Sequence, residues 1–223
     1  MKDSNKNNYK EIEYKYFNID VESLRQRLRK VNATMVRPKI VMRLITFTHP
    51  TNNQDSYIRV RDETTRITMT SKQNLDDKFV TEYEVVVNCF IESVKILESL
   101  GCKKKYYLEK FRETWTLMNV EIVIDSLPGT TEYVEIEGCD ERDVIKVQKI
   151  LELKEPDFRK HDLYESEYGI KSEKVILGDI TFDNAINKIG GMIQINKETF
   201  KSILEKQQSY ISQSQPLDLR SNL

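Results

Sequence analysis

The chain has 223 residues, enough for one large domain, or for one domain with an appendage, and for a substantial apolar core. Charged residues make up 32% of the chain but nearly cancel, to a formal net charge of −1, whereas DNA binding would need a basic excess. Because the sequence has no long apolar run, secretory signal or zinc-type cysteine spacing, it predicts a cytoplasmic protein with reduced thiols that binds neither DNA nor membranes.

The first predicted element is a strand over residues 9–17 with alternating charged and apolar side chains. Since alternate side chains of a strand point to opposite faces, one face is charged and the other is apolar. The charged face carries Glu11, Glu13 and Lys15. The same pattern recurs along most of the chain, and it is the basis of the fold prediction.

The next segments predict a helix and a long extended stretch. Asp20 is a predicted N-cap, and apolar residues at helical spacing follow it as far as Val31. Residues 33–48 are rich in β-branched residues and predict an extended segment that is broken at Pro38. A loop is predicted at residues 49–55.

A hairpin and a further strand follow, each with one charged or polar face. The hairpin is predicted over residues 57–72, and a polar loop at 73–78 separates it from the strand at 82–87. A helix that Asn88 caps and Gly101 ends completes this half. The charged faces of these strands carry Arg59, Arg61, Lys72, Glu82 and Glu84.

The second half repeats the alternation in three more strands, with a turn at Pro128-Gly129. Their charged faces carry Lys110, Arg112, Glu121, Asp125, Glu135 and Glu137. Helices are predicted after Asp140, at about 161–168 and at about 197–212. The chain therefore contains about eight short strands and several amphipathic helices.

Short antiparallel strands in this number predict a closed or nearly closed barrel of the α+β class. Alternation alone fits either an apolar interior or a charged lumen with the amphipathic helices packed outside. Charge pairing favours the charged lumen, because pairs of carboxylates and pairs of basic residues occur on different strands. Such clusters are costly to bring together unless a ligand lies between them. A polyphosphate with a divalent cation would be such a ligand, since carboxylates bind Mg²⁺ or Mn²⁺ and basic side chains bind phosphate oxygens.

The ordered set of charged residues resembles the CYTH superfamily, the triphosphate tunnel metalloenzymes. The stretch from Glu11 to Lys15 is similar to the ExExK signature of that family. The later charged residues resemble the other strands of the family in the same order, over about residues 9–168. The resemblance implies an eight-stranded antiparallel β-barrel, the triphosphate tunnel, with a charged lumen.

The resemblance also implies a role for each charged residue. Ligands of Mg²⁺ or Mn²⁺ would be Glu11, Glu13, Asp125, Glu135 and Glu137. Phosphate oxygens would be bound by Lys15, Arg59, Arg61, Lys72, Lys110 and Arg112. The candidate catalytic residues are Lys15, Glu82 and Glu84, with the two glutamates as further ligands or as groups that position water.

The function that the resemblance favours is divalent-metal-dependent hydrolysis of inorganic, thiamine or nucleoside triphosphate. The alternatives are a class IV adenylyl cyclase, a non-catalytic polyphosphate- or nucleotide-binding module, and a charged β-protein without a ligand. Cyclases of the family often carry a His-Phe pair before ExExK, and residues 6–10 contain neither. Hydrolysis is also less demanding, because only water must reach a terminal phosphorus.

The chain is predicted to have three parts: a disordered N-terminus at residues 1–8, the tunnel domain at 9–169 and an appendage of unknown role at 170–223. The Gln- and Ser-rich end of the appendage favours a solvated tail over a partner-binding segment. With only two histidines, a His-ligated metal site is not supported, and His161 is predicted to be structural. A monomer or a homodimer is expected.

Overall fold

A computed structural model describes most of the chain, namely residues 12–50, 56–76, 79–157, 163–171 and 179–214. Glu11, His161, the N-terminus at 1–8 and parts of the predicted loops lie outside these residues. The described strands are β1 (Ile12–Tyr16), β2 (Thr34–Thr48), β3 (Tyr57–Asp62), β4 (Ile67–Asp76), β5 (Phe79–Val87), β6 (Lys104–Leu117), β7 (Val120–Ser126) and β8 (Tyr133–Gly138). The described helices are α1 (Val21–Lys30), α2 (Phe90–Ser99), α3 (Glu141–Ile150), α4 (Leu163–Tyr168), α5 (Ala185–Ile189) and α6 (Lys197–Ser214).

The eight strands form one antiparallel sheet in the order β1-β8-β7-β6-β2-β3-β4-β5. Every neighbouring pair in this order is antiparallel. In the described part of the chain no hydrogen-bonded ladder joins β1 to β5, so the barrel is nearly closed rather than closed. The prediction of an eight-stranded antiparallel barrel with helices outside is confirmed.

One face of the sheet is apolar and is covered by helices through three buried clusters. Helices α1 and α3 pack against β1, β7 and β8, and Ile12 and Ile136 belong to this contact. Helix α2 packs against β2 and β3, where Val60 contacts the cluster. Helices α4 to α6 cover the part of the face around Phe111. The outer face of β5 is the exception, because Tyr83 is 64% exposed.

The other face is charged. The described helices pack on the apolar face, yet the charged face is buried as well. Asp125, Thr68 and Thr70 on this face are all 0% exposed. A flat sheet would leave such residues in solvent, so the sheet curls round and covers its own charged face. We call the enclosed space the lumen, and its charged lining is as predicted.

Local capping explains where two helices begin. The Asp20 carboxylate accepts a hydrogen bond from the Ser23 N–H at 3.0 Å at the start of α1. The Asp140 carboxylate accepts one from the Arg142 N–H at 2.9 Å at the start of α3. The expected cap at Asn88 is wrong, because Cys89 is the N-cap of α2 and its side chain makes no capping bond.

Two predicted interruptions of the strands are also wrong. Strand β2 continues through Pro38, and the irregularity appears as shifts of register against β6 between Met35 and Ile40. A register shift accommodates a residue that cannot donate to the ladder. Residues 73–76, which were predicted to be a loop, lengthen β4 and pair with β5. Polar composition there is compatible with a strand because the cross-strand ladder satisfies the backbone.

The described part of the chain after α3 is not a solvated tail, because it contributes a buried apolar cluster. We call residues 163–171 and 179–214 the C-terminal module. Ile180 pairs in parallel with Leu108 beyond the end of β7, with its N–H donating to Tyr107 O at 3.0 Å and its carbonyl accepting from Glu109 N at 2.9 Å. The predicted helix at 197–212 is confirmed as α6.

Two further expectations concern thiols and membranes. Cys89, Cys102 and Cys139 are free thiols. No helix in the described ranges is both long enough and apolar enough to span a membrane.

Candidate functional site in the lumen

The strongest charge cluster in the lumen is centred on the buried carboxylate of Asp125 in β7. The antiparallel register places Arg112 of β6 directly opposite Asp125. The Arg112 guanidinium donates to this carboxylate from Nε at 2.9 Å and from Nη2 at 2.6 Å. Lys110 Nζ donates to the same carboxylate. Two cations on adjacent positions of one strand face are therefore held by one acid.

These contacts shift the pKa values of all three groups. Burial acts to raise the pKa of Asp125, but Arg112 and Lys110 outweigh it and hold the pKa at about 2. Burial, and then the repulsion of Arg112, lower the pKa of Lys110. Burial also disfavours the charged form of Arg112, but Asp125 outweighs it and raises the Arg112 pKa. The Asp125 carboxylate and the Arg112 guanidinium thus stabilise each other's charged forms.

Lys15 links two carboxylates on the neighbouring strands β1 and β8. Its Nζ atom lies 2.6 Å from Glu135 Oε1 and 2.5 Å from Glu13 Oε1. Burial acts against the charged form of Lys15, but Glu135 and Glu13 outweigh it and raise the pKa. Arg112 Nη2 lies 3.6 Å from Glu135 Oε2, which joins this contact to the Asp125 cluster.

The arginines of β3 are less fully paired. Nε of Arg59 is buried and has no hydrogen-bond partner in the described part of the chain. Arg61 lies 3.3 Å from both Glu63 and Glu84. Each of these acids is shared with a second arginine, since Glu63 lies 2.6 Å from Arg37 and Glu84 lies 2.5 Å from Arg66. Burial, followed by the repulsion of Arg59, lowers the pKa of Arg61, and Arg112 contributes further repulsion. This side of the lumen therefore has an excess of buried positive charge.

The two predicted catalytic glutamates lie on β5, and each contacts cations. Glu84 accepts hydrogen bonds from Arg66 Nη2 at 2.5 Å and from the Thr70 hydroxyl at 3.1 Å. Glu82 lies 3.5 Å from Lys72 Nζ. In this structure these acids neutralise basic side chains rather than join the carboxylates of β7 and β8.

The donor chemistry of the lumen fits a hard divalent cation, although the described residues do not complete a site. The oxygens of Glu13 and Glu135 converge on the Lys15 ammonium between β1 and β8. The same oxygens are of the type that binds a hard divalent cation. Register places Glu137 opposite both Glu13 and Glu121. Within the described ranges, no three acidic, histidine or cysteine side chains form a group that could hold a metal ion. Glu11 lies outside these ranges.

Several lumen residues were not assigned a role from the sequence. Tyr133 precedes Glu135 by two residues on the same strand face, and burial among Asp125 and Glu135 raises its pKa well above the ordinary value. It stacks on Phe17 with ring centroids 5.5 Å apart. Arg66 could not have been found by alternation, because it lies in the turn between β3 and β4.

Comparisons with solved structures identify several proteins of similar fold. A conserved hypothetical protein from Pyrococcus furiosus is 24% identical, with 68% of this chain and 98% of that chain covered and a TM-score of 0.56. A protein from Pyrococcus horikoshii is 21% identical, with 66% and 94% covered and a TM-score of 0.56. A Vibrio parahaemolyticus protein, provisionally assigned as an adenylate cyclase, is 12% identical, with 70% and 97% covered and a TM-score of 0.60.

The comparison with protein families gives the assignment. No curated protein matches the chain. Residues 9–163 match the CYTH domain, which is most of the chain and includes every strand of the sheet. The chain therefore belongs to the CYTH domain family.

Proposed function

We propose that the lumen binds a triphosphate together with Mg²⁺ or Mn²⁺ and hydrolyses it. The observation that carries this proposal is the excess of buried positive charge on β3. Burial and the neighbouring Arg59 lower the pKa of Arg61, so the two guanidinium groups are held together at an electrostatic cost. An anion with several charged oxygens would remove that cost, because guanidinium groups bind phosphate oxygens through directed hydrogen bonds.

Each set of cations would bind a different part of the polyphosphate. Arg59 and Arg61 supply donors on one side of the lumen, and Arg112 of β6 is close enough to Arg61 to affect its pKa. Lys110 and Arg112 supply donors on the other side, held in place by Asp125. Cations fixed around a phosphoryl group stabilise the charge that develops during its transfer.

The metal would be held by Glu13, Glu135 and Glu137, with Glu11 and Asp125 as further candidate ligands. A divalent cation bound there would polarise the phosphoryl group and favour attack by water. Lys15 occupies the space between Glu13 and Glu135, so its ammonium must turn away from these carboxylates when they bind a cation. A phosphate oxygen would be the new partner of Lys15.

Hydrolysis is the favoured reaction, and cyclisation of ATP is the second candidate. The second candidate is supported by the similar fold of the Vibrio protein that is provisionally assigned as an adenylate cyclase. Both reactions need the same cations and metal. Cyclisation also requires that the ribose hydroxyl be aimed at the α-phosphorus, which makes it the more demanding reaction.

The test is to incubate the protein with inorganic triphosphate and with ATP, each with Mg²⁺ and with Mn²⁺. Orthophosphate as the main product, dependent on the cation, would support hydrolysis. Cyclic AMP and pyrophosphate as the main products would replace hydrolysis with cyclisation. Absence of turnover, with tight binding of inorganic triphosphate in calorimetry, would instead favour a non-catalytic binding module.

A further inference from the structure

The turn between β7 and β8, residues Leu127–Thr130, is buried, which is unusual for a hairpin connection. Pro128, Gly129 and Thr130 are all buried, and a buried turn must have partners for its backbone polar groups. Within the turn, Thr130 N donates to Leu127 O at 3.0 Å, and the Thr130 hydroxyl accepts from Leu127 N at 2.9 Å and donates to Leu127 O at 3.2 Å. Other partners come from the C-terminal module.

Gln207 of α6 makes most of these contacts with a single side chain. Its Oε1 accepts a hydrogen bond from Gly129 N at 2.7 Å. Its Nε2 donates to Leu127 O at 3.0 Å and lies 3.4 Å from Thr130 O. The same nitrogen lies 3.4 Å from Ser126 Oγ, and Ser126 follows Asp125 directly in the chain. A primary amide suits this position because it accepts and donates at once.

Two tyrosines and a phenylalanine of the module complete the contact. The Tyr168 hydroxyl donates to Gly129 O at 2.5 Å, and the Tyr164 hydroxyl donates to Pro128 O at 3.0 Å. Gly129 has a φ of +78°, and a Cβ atom there would lie 2.2 Å from the Phe200 ring. No other residue type could take this position without moving Phe200.

The turn leads directly to the charged residues of the lumen. Asp125 lies two residues before the turn, and Glu135 lies five residues after it. Asp125 holds Arg112 and Lys110, and Glu135 holds Lys15. A displacement of the turn would move β7 against β8 and would disturb all of these pairs.

We propose that the C-terminal module, acting through Gln207, positions Asp125 and Glu135 for the binding of triphosphate and metal. Gln207 is thus a positioning residue, and this part of the inference rests on the proposed function of the lumen. The family match ends at residue 163, and the three similar structures leave about 30% of this chain uncovered. The module therefore lies beyond the part of the chain that matches the family.

The experiment compares Gln207→Ala with Gln208→Ala in the full chain. Gln208 is the matched control because its Nε2 donates to Phe182 O at 2.7 Å, within the module and away from the turn. We expect Gln207→Ala to shift the amide NMR signals of Asp125 and Glu135 in the ligand-free protein, and Gln208→Ala to leave them unchanged. For hydrolysis of inorganic triphosphate with Mg²⁺, Gln207→Ala should lower kcat/KM on the order of tenfold, as the loss of an orienting contact does.

Two further variants separate positioning from a loss of stability. Leu97→Ala weakens the cluster under α2 without touching the turn, so it should lower the unfolding temperature but leave kcat/KM at assay temperature unchanged. Gln207→Asn keeps a primary amide on a side chain that is one methylene shorter, which gives a conservative substitute if Gln207→Ala does not fold. Its effect should be intermediate.

The outcomes distinguish this inference from the proposed function. Unchanged Asp125 and Glu135 signals in Gln207→Ala would overturn the positioning role, whatever the protein hydrolyses. An equal loss of kcat/KM in Gln208→Ala or Leu97→Ala would also overturn it. If the wild-type protein neither binds nor hydrolyses triphosphate, the proposed function fails, and the NMR comparison still decides whether Gln207 positions the two carboxylates.

Discussion

On the β6–β8 side of the lumen, buried cations contact carboxylates directly, whereas on β3 two buried arginines lie next to each other. Asp125 holds Lys110 and Arg112, and its pKa is lowered to about 2. Arg61 shares both of its acids, Glu63 and Glu84, with other arginines, and burial together with Arg59 lowers its pKa. On the first side each cation has a carboxylate of its own strand pair, whereas on the second the cations outnumber the acids.

This difference gives the two sides of the lumen different electrostatic properties. Under the proposed function, an anion would bind on the β3 side because it would relieve the repulsion between Arg59 and Arg61. On the β6–β8 side, the proposed function would require phosphate or metal to compete with existing ion pairs. Substitutions on the β6–β8 side should therefore lower stability more than binding. Substitutions on the β3 side should lower binding more than stability.

The largest effect is expected from Asp125→Asn. The substitution leaves Lys110 and Arg112 buried without their carboxylate, and breaking a buried pair in this way costs about 3–5 kcal/mol. Urea denaturation at pH 7 would measure the loss in the free energy of unfolding. Glu198→Gln is the control, because the Glu198 pair with Lys201 is exposed and contributes little. If the two variants were equally stable, the β6–β8 side would not be a paired cluster.

Arg59→Gln should weaken triphosphate binding without lowering stability. Because it removes repulsion from Arg61, the variant should unfold at the same temperature as the wild type or at a higher one. The KM for triphosphate should rise about tenfold or more, since a hydrogen bond to a charged group is lost. Thermal shift with and without inorganic triphosphate measures both effects. A variant that lost stability but kept the ligand-induced shift would contradict the anion-binding role of β3.

Acid titration should sharpen the contrast further. The folded-state pKa of Asp125 lies below its ordinary value, so its contribution to stability is present above pH 3.8 and is lost as the pH falls towards about 2. Urea midpoints measured from pH 5 to pH 2 should fall steeply over that interval. The decline should be shallower in Asp125→Asn, and parallel curves for the two proteins would contradict the pairing.

The smallest effect is expected from Glu109→Gln on the apolar face. The half-buried Glu109 carboxylate accepts hydrogen bonds from the Tyr107 hydroxyl and from the Phe182 N–H. Burial raises the pKa of Glu109, so its folded form prefers the proton, and stability falls as the pH rises above 4.5. The amide should therefore raise stability at pH 7, by less than about 1 kcal/mol, and should flatten this part of the pH curve. A loss of stability at pH 7 would show that the Glu109 charge is required.

The faces of the strands could be predicted from the sequence, but the contacts across them could not. Alternation placed Asp125, Arg112 and Glu135 on one face correctly, because side-chain direction depends only on position along a strand. Which acid holds which cation depends on register, and a pattern within one strand contains no information about its neighbour. The same limit hid the continuation of β2 through Pro38.

The C-terminal module was misjudged for a different reason. Its buried residues Phe200, Leu204, Gln207 and Ile211 recur at helical spacing, so the sequence did contain the signal. The surrounding Gln and Ser residues favoured a solvated tail, because average composition does not distinguish a polar helix face from a polar segment. Gln207 lies on the buried stripe of α6, but its polar side chain gave no sign of burial in the sequence.

The pairing of Ile180 with the edge of β6 has a consequence for how the protein is made. Tyr107 O and Glu109 N gain their backbone partners from a residue about 70 positions later in the chain. During synthesis, all eight strands emerge from the ribosome before this segment does. Until residue 182 emerges, this part of β6 lacks its backbone partners. Chaperone contact would therefore matter most in that interval.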